Sequence, residues 1–340
     1  MATDPLLTVS NLSVRFHTDE GLVTAVDDLS FTLQPGQTLG IVGESGSGKS
    51  VSTKALMRLL PDYAELDANS HIVYQTKKGA YVDIARLDTR SKALKQVRGG
   101  ELAMIFQEPS AAFSPLYTIG NQMIEGIRLH RDVSRNQARK LAIEMLDRVG
   151  MTNPELRVDQ YAFQLSGGMR QRAMIASALV MRPAVLIADE PTTALDVTIQ
   201  AQILDLLKEL QQDFGMTIIF ISHDLAVISQ IADDVLVMYL GKEMETGPVR
   251  RIIRHPQHPY TQGLINAIPR LEELDRPLLP IPGDIPSPLE RPTGCVFHTR
   301  CPHAADHPRC HTDVPIPAQT QPNHLAACHL LTEKVLEETV

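Results

Sequence analysis

Short apolar runs alternate with helix-length stretches along roughly the first 250 residues. Leu39–Val42, Glu101–Phe106, Ala184–Ala188, Thr217–Ser222 and Val235–Tyr239 each have the length of a strand. Strands separated by helical stretches predict an α/β fold with a mostly parallel sheet, covered on both faces. Between Phe106 and Leu165 the pattern becomes helical. Ser134-Arg135-Asn136-Gln137 has the form of a capping box. Leu141, Met145, Leu146 and Val149 follow at helical spacing, and Gly150 can end the helix. A helical subdomain is therefore expected at about residues 107–180. From about Arg254 the pattern changes again, because Pro256, Pro259, Pro269, Pro277, Pro280, Pro282, Pro286, Pro288 and Pro292 crowd the chain. Proline fixes φ and removes a backbone donor, so an extended, loop-rich connector is expected there. The expected organisation is a domain over 1–254 and a small Pro/Cys-rich C-terminal module over 255–340.

The first apolar run ends in Gly43-Glu44-Ser45-Gly46-Ser47-Gly48-Lys49-Ser50, which fits G-x-x-x-x-G-K-S. Glycines let backbone amides curl around phosphate oxygens, and a helix opening near Lys49 turns its positive end toward them. Lys49 suits the outer phosphates and the Ser50 hydroxyl suits Mg2+. A strand before the loop and the helix-like Val51–Leu60 after it supply the context that the motif needs.

A second apolar run, Val185-Leu186-Ile187-Ala188, ends in Asp189-Glu190. Alone, two acids after a strand would equally suit an exposed strand end. Beside a phosphate loop, Asp189 is expected to hold the Mg2+ hydration shell, and Glu190 to polarise the attacking water. Leu165-Ser166-Gly167-Gly168-Met169-Arg170-Gln171-Arg172 precedes the alanine-rich Ala173–Leu179. Ser166 with Gly167 and Gly168 opens a second anion-binding helix end, although an ordinary capped helix would look the same. One nucleotide rarely needs two such ends from one chain, so this one is expected to serve a partner's nucleotide.

The phosphate loop, Gln107, Leu165–Arg172, Val185–Glu190, Ala194-Leu195-Asp196 and Ser222-His223-Asp224 occur in this order. The series resembles the nucleotide-binding subunits of ABC transporters, in which the Leu165–Gly168 sequence is the signature motif. The resemblance covers residues 6 to about 250. It implies a P-loop NTPase core with an antiparallel β subdomain and a helical subdomain. It also implies a head-to-tail dimer, in which ATP lies between one subunit's phosphate loop and the other's signature. Gln107 would contact Mg2+ and the water, His223 the terminal phosphate, and Asp196 the dimer interface. Phe16 is the candidate to stack on adenine, with a core phenylalanine as the alternative.

Beyond the core come His258-Pro259-Tyr260-Thr261-Gln262-Gly263-Leu264 and Pro282-Gly283-Asp284-Ile285-Pro286. Then Cys295, Cys301, Cys310 and Cys328 follow with the spacing C-x5-C-x8-C-x17-C. This tail resembles that of the oligopeptide/dipeptide/nickel importer ATPases. Thiols clustered in a reducing compartment favour a metal or cluster site over disulfides. Four thiolates suit a 4Fe–4S cluster, which the resemblance favours; tetrahedral zinc and unligated thiols stay open. His298, His303, His307, His311 and His329 lie nearby as substitute ligands or as solvent-facing side chains. A structural clip suits a tail that is too proline-rich to build a core of its own.

Composition narrows the class. With 43% hydrophobic and 21% charged residues the chain is ordinary globular protein, and its net charge of −8 offers no basic footprint for nucleic acid. No apolar run approaches a membrane span, and Met1–Val9 lacks the character of a secretion signal. The expected place is peripheral, on the cytoplasmic face of the cell membrane. The expected function is an ATPase powering solute uptake, most simply of di- or oligopeptides. The same role for nickel, sugars or opines is the alternative, and a soluble non-transport ABC ATPase a more distant one. The expected partners are a second, related ATPase subunit, two transmembrane permease subunits and an extracytoplasmic solute-binding protein. The expected cofactors are ATP, Mg2+ and the cluster.

Overall fold

The computed structural model describes residues 4–193, 195–268 and 281–331. Ala194 of the series above, and Pro269, Pro277 and Pro280 of the connector, lie outside the described residues. The strands are β1 (Leu7–Thr18), β2 (Gly21–Leu33), β3 (Thr38–Val42), β4 (Ala64–Leu66), β5 (His71–Gln75), β6 (Tyr81–Asp83), β7 (Leu102–Ile105), β8 (Val185–Asp189), β9 (Thr217–Ser222), β10 (Asp234–Tyr239), β11 (Lys242–Pro248), β12 (Ala318–Gln321) and β13 (His324–Ala326). The helices are α1 (Lys49–Leu56), α2 (Lys92–Val97), α3 (Pro109–Ala112), α4 (Ile119–His130), α5 (Arg135–Arg148), α6 (Pro154–Arg157), α7 (Gly167–Leu179), α8 (Val197–Phe214), α9 (Leu225–Ile231), α10 (Val249–Arg254), α11 (Pro259–Asn266) and α12 (Arg309–Thr312).

These elements gather into two compact units that interleave along the chain. The first is built on Leu33–Gln37 and Tyr74–Ile221. Within it β7 pairs in parallel with β8, and β8 with β9, in the register Ile105↔Ala188↔Phe220. Every residue of β8 is buried, which is why Val185–Ala188 reads as an unbroken apolar run and not as an alternation. The helical part of this unit is α3 to α7. The expected capping box is present on α5: the Ser134 amide donates to Gln137 Oε1 at 2.9 Å, and the Gln137 amide to Ser134 Oγ at 3.3 Å. Ala138, Ala142, Met145 and Leu146 form the buried face of α5, at the spacing of one helical stripe. That face packs on α4 and α7.

The second unit is built on Leu7–Thr32, Thr38–Val73 and the described residues from Ser222 on. In it β3 runs parallel to β10, with Leu39 beside Asp234 and Val42 beside Val237. From β10 outward the sheet turns antiparallel, through β11, β13 and β12. Strand β1 carries the antiparallel β4, with Phe16 opposite Ala64. The tail is therefore not a free appendage: its β12–β13 hairpin continues the sheet, pairing Thr246 with Leu325.

A buried hydrogen-bonded pair fixes that join. Glu245 and His324 are both fully buried, 2.7 Å apart. The Glu245 carboxylate also accepts the backbone N–H groups of Gln257 at 2.8 Å and His258 at 2.9 Å. Those bonds satisfy a carboxylate that would otherwise be costly to bury.

The His258-Pro259-Tyr260 motif is the start of α11. Pro259 occupies the first turn, where a missing N–H costs nothing, and His258 is the N-cap. His258 Nδ1 accepts the Tyr260 backbone N–H at 3.0 Å. Burial pushes the His258 pKa down to about 4, only partly opposed by Glu245, so the ring is neutral near pH 7 and free to act as an acceptor.

Candidate active site

The phosphate loop Gly43–Ser50 connects β3 to α1 in the second unit. Two of its glycines are required sterically. A Cβ on Gly43 would strike the Met238 backbone carbonyl oxygen, and one on Gly48 the Ala25 carbonyl oxygen; Gly48 also sits at φ +95°. Lys49 is almost fully buried and its ammonium is held inside the loop. It donates to Gly43 O at 2.7 Å, Glu44 O at 2.9 Å and Ser47 Oγ at 3.3 Å. Ser50 follows in the first turn of α1, and Gly48 caps that helix without any side-chain acceptor. Ser45 and Gly46 form the exposed tip of the loop. The arrangement offers amides, a helix N-terminus and one fixed cation to an anionic ligand.

The Glu44 side chain is engaged elsewhere in the second unit. Its carboxylate is gripped by Arg300, and its backbone N–H donates to the Tyr260 hydroxyl at 3.0 Å. Phe16, half-buried on β1, lies 5.8 Å from Tyr63, a 60% exposed ring whose part in an aromatic pair the sequence did not suggest. His223 is exposed between β9 and α9. Asp224 caps α9 by accepting the Ala226 N–H at 2.7 Å, and its own N–H donates to Ser222 Oγ at 3.0 Å. These two bonds shape the turn that presents His223.

The acidic pair lies in the first unit. Asp189 closes β8 and is 2% exposed. Glu190 has left-handed backbone at φ +45°, a conformation that non-glycine residues adopt at a cost and that turns its side chain away from the strand. Its Oε2 accepts from Gln107 Nε2 at 3.1 Å and from Thr193 Oγ1 at 2.8 Å. The carboxylate is thereby aimed, and one side of it is committed to neutral donors. The structure thus brings Gln107 and Glu190 together. Thr193 and the left-handed backbone were not read from the sequence.

The signature segment opens α7 in the same unit. Ser166 is the N-cap and accepts the Met169 N–H at 3.4 Å. Ser166 and Gly167 are exposed, and a Cβ on Gly167 would meet nothing, so this helix end is open on that side. Gln171 is buried on α7 and donates to the Pro191 carbonyl oxygen, which ties the signature helix to the turn after Glu190. Asp196 caps α8 by accepting the Ile199 N–H at 2.9 Å. Gly168 lies in the first turn of α7, where a Cβ would come no nearer than ordinary contact with Ile199.

The cysteines are buried or half-buried around one another in the second unit. The Cys295 N–H donates to Cys310 O at 2.9 Å. Burial pushes the Cys295 thiol up to about 11 and the Cys328 thiol up to about 12, and it also raises Cys301. Cys310 and Cys301 add to the rise at Cys295, and the other three thiols add to that at Cys328. All four sulfurs thus share one neighbourhood, a soft donor set suited to a thiolate-bound metal. Among the described residues, however, no group of three or more His, Cys, Asp or Glu side chains has the spacing to hold a metal ion. The expected four-cysteine metal site is therefore met in composition but not in geometry.

Comparison with known proteins follows the same lines. Residues 26–193 match the family described as ABC transporter, and residues 244–310 match the oligopeptide/dipeptide transporter C-terminal region. A protein of Brucella melitensis biotype 1, named as a peptide import ATP-binding protein, is 46% identical over 335 residues, covering 96% of this chain and 98% of its own. A Brucella abortus protein of the same name is 51% identical over 302 residues, covering 88% of each chain.

This chain belongs to the ABC transporter ATPase family.

The dimeric structure of the ABC transporter cassette MJ0796 superposes with a TM-score of 0.62 at 25% identity, covering 72% of this chain and 99% of that one. The Clostridium perfringens cassette cbiO1, part of the complex cbiONQ, gives a TM-score of 0.60 at 25% identity, covering 74% and 92%. As an ABC ATPase, the chain binds and hydrolyses ATP with Mg2+. Mg2+ takes one or two protein oxygens plus phosphates and water, so it needs no closed carboxylate cage. No helix among the described residues is long and apolar enough to cross a membrane.

Proposed function

We propose that this chain is the ATP-hydrolysing subunit of a membrane importer for di- or oligopeptides. The observation that carries the proposal is the pairing of an ABC core with a tail matched to the oligopeptide/dipeptide transporter region, on a chain that resembles named peptide-import ATPases nearly end to end. Residues 1–254 act as the ATPase domain, with a helical subdomain near 107–180. Residues 255–340 act as the importer-type extension.

In the proposed cycle, Gly43–Ser50 binds the phosphates and Lys49 neutralises the outer ones. Ser50 would ligate Mg2+ and Asp189 would hold its hydration shell, the ion when bound offsetting phosphate charge. Glu190 accepts the proton of the attacking water, and Gln107 keeps its carboxylate in place. His223 contacts the terminal phosphate and Phe16 stacks on adenine. Ser166, Gly167, Gly168 and Asp196 serve the nucleotide bound to the facing subunit, a related ATPase chain. Two permease subunits receive the motion, a solute-binding protein delivers substrate from outside, and this chain sits on the cytoplasmic face.

The test is ATP turnover in the complete membrane complex. A peptide-loaded binding protein is expected to raise turnover above the unloaded one. Stimulation by nickel, a sugar or an opine, with none by peptides, would overturn the substrate assignment.

We further propose that Cys295, Cys301, Cys310 and Cys328 hold a 4Fe–4S cluster. The support is the gathering of four cysteines, three of them buried, with burial raising the Cys295, Cys301 and Cys328 thiols, a rise that a bound cation would oppose. Anaerobically purified protein is expected to carry about four irons and four acid-labile sulfides per chain, the cluster's own stoichiometry. Zinc without sulfide, or neither, would remove the cluster.

A further inference from the structure

Arg300 lies on the short turn His298–Arg300, between Cys295 and Cys301. Its side chain is 4% exposed and its donors converge on the phosphate loop and that loop's surroundings. Nη1 and Nη2 reach the two oxygens of the Glu44 carboxylate at 2.7 and 3.2 Å. Nε donates to Pro282 O at 3.0 Å and Nη2 also to Ile281 O at 3.2 Å, so two successive carbonyls at the start of the Pro-Gly-Asp-Ile-Pro stretch hold the guanidinium. The guanidinium also lies over the Tyr239 ring, 5.8 Å from its centroid. Tyr239, Tyr260 and Phe297 pack into one aromatic cluster, with centroids 4.8 to 5.3 Å apart. From that cluster the Tyr260 hydroxyl accepts the Glu44 N–H at 3.0 Å. Glu44 is thus held at its backbone and its side chain by residues 216 and 256 positions downstream.

The chemistry of this grip is specific. A carboxylate inside a loop that surrounds a triphosphate repels its ligand unless its charge is cancelled and its position fixed. A buried, bidentate guanidinium does both, whereas a water or a lone ammonium would do neither well. Burial works against the charge on Arg300, but the hydrogen bonds to Glu44 and Tyr239 outweigh it and hold the group firmly protonated.

We infer that Arg300 is a positioning residue for the phosphate loop, acting through the Glu44 carboxylate to set the loop's affinity for the nucleotide's phosphates. The inference rests on reading Gly43–Ser50 as that loop. It gives the cysteine-bearing tail a direct mechanical link to the chemistry of ATP binding.

The test measures the Kd of Mg-ATP on the full-length chain, with melting temperature recorded beside it. Arg300→Met is expected to weaken ATP binding about tenfold, the scale of one charge-assisted hydrogen bond lost. The double variant Glu44→Gln/Arg300→Met is expected to return most of that affinity, because an amide does not repel phosphate. A merely structural arginine would leave the single and double variants equally weak. Arg300→Lys, which keeps charge but not the fork, is expected to fall between wild type and Arg300→Met; if Arg300→Met fails to fold, this variant carries the test. ATP affinity unchanged in Arg300→Met or Arg300→Lys, or no recovery in the double variant, overturns the inference. Lys49→Ala is the control: if it too leaves ATP binding unchanged, it is the phosphate-loop reading that fails, not the role of Arg300.

Discussion

Glu190→Gln is expected to lower ATP turnover by about 10²- to 10⁴-fold, the usual contribution of a positioned general base, while ATP still binds. The substitution is nearly isosteric. It keeps the left-handed backbone and leaves an acceptor for Thr193, which now reaches Glu190 at 2.8 Å. What it removes is the ability to take a proton from water. The expected signature is a split: kcat falls steeply while the Kd for Mg-ATP stays within a few-fold of wild type. Turnover near the wild-type rate would take Glu190 out of the catalytic role and leave its constrained backbone without a chemical purpose.

Lys49→Ala is expected to act at the other end of the reaction. The ammonium is the one buried cation inside Gly43–Ser50 among the described residues, held by Gly43 O, Glu44 O and Ser47 Oγ. Its removal deletes charge-assisted hydrogen bonds to the outer phosphates, each on the order of 1.5–3 kcal/mol. Affinity for Mg-ATP is then expected to fall about 10- to 100-fold. It also leaves two loop carbonyls without their donor, so the loop itself is expected to loosen. Isothermal titration with ATP and with AMP separates the effects, since AMP lacks the outer phosphates and should lose little. Equal losses for both would point to collapse of the loop and not to a missing phosphate contact.

Much of this site was legible in the sequence because the chemistry of phosphate binding leaves local marks. Gly43 and Gly48 are needed where a Cβ would strike Met238 or Ala25, and such positions tolerate little else. The sequence predicts a strand at Thr217–Ser222, and β9 spans those residues, because its buried middle, Ile218–Ile221, is apolar throughout. Asp189 and Glu190 stand out because two acids end an apolar run. The parts not legible depend on distant pairing. Nothing near residue 300 announces that Arg300 meets Glu44, 256 positions earlier. The addition of the β12–β13 hairpin to β11 follows from a buried Glu245–His324 pair that no local pattern encodes. Nor does the loop motif show that the Glu44 side chain meets the tail. The cysteine spacing suggested a ready metal site, yet the thiols converge only in neighbourhood. Gln107 came through resemblance to a family, since one glutamine after a strand carries no signal of its own; only the fold brings it 3.1 Å from Glu190.

The central claim is that each ATP is shared, bound by Gly43–Ser50 of one subunit and closed over by Ser166–Gly168 of the other. Ser166→Arg in the Glu190→Gln background tests it most directly, with ATP binding and ATP-driven dimer formation measured together by titration and light scattering. The exposed Ser166 makes only a local cap, so the fold should survive the change. The prediction is that ATP still binds the separate chain with undiminished affinity while the ATP-dependent dimer, whether with a second copy or with the related subunit, no longer forms. A dimer that forms as before, or a loss of ATP binding by the separate chain, would contradict the shared site.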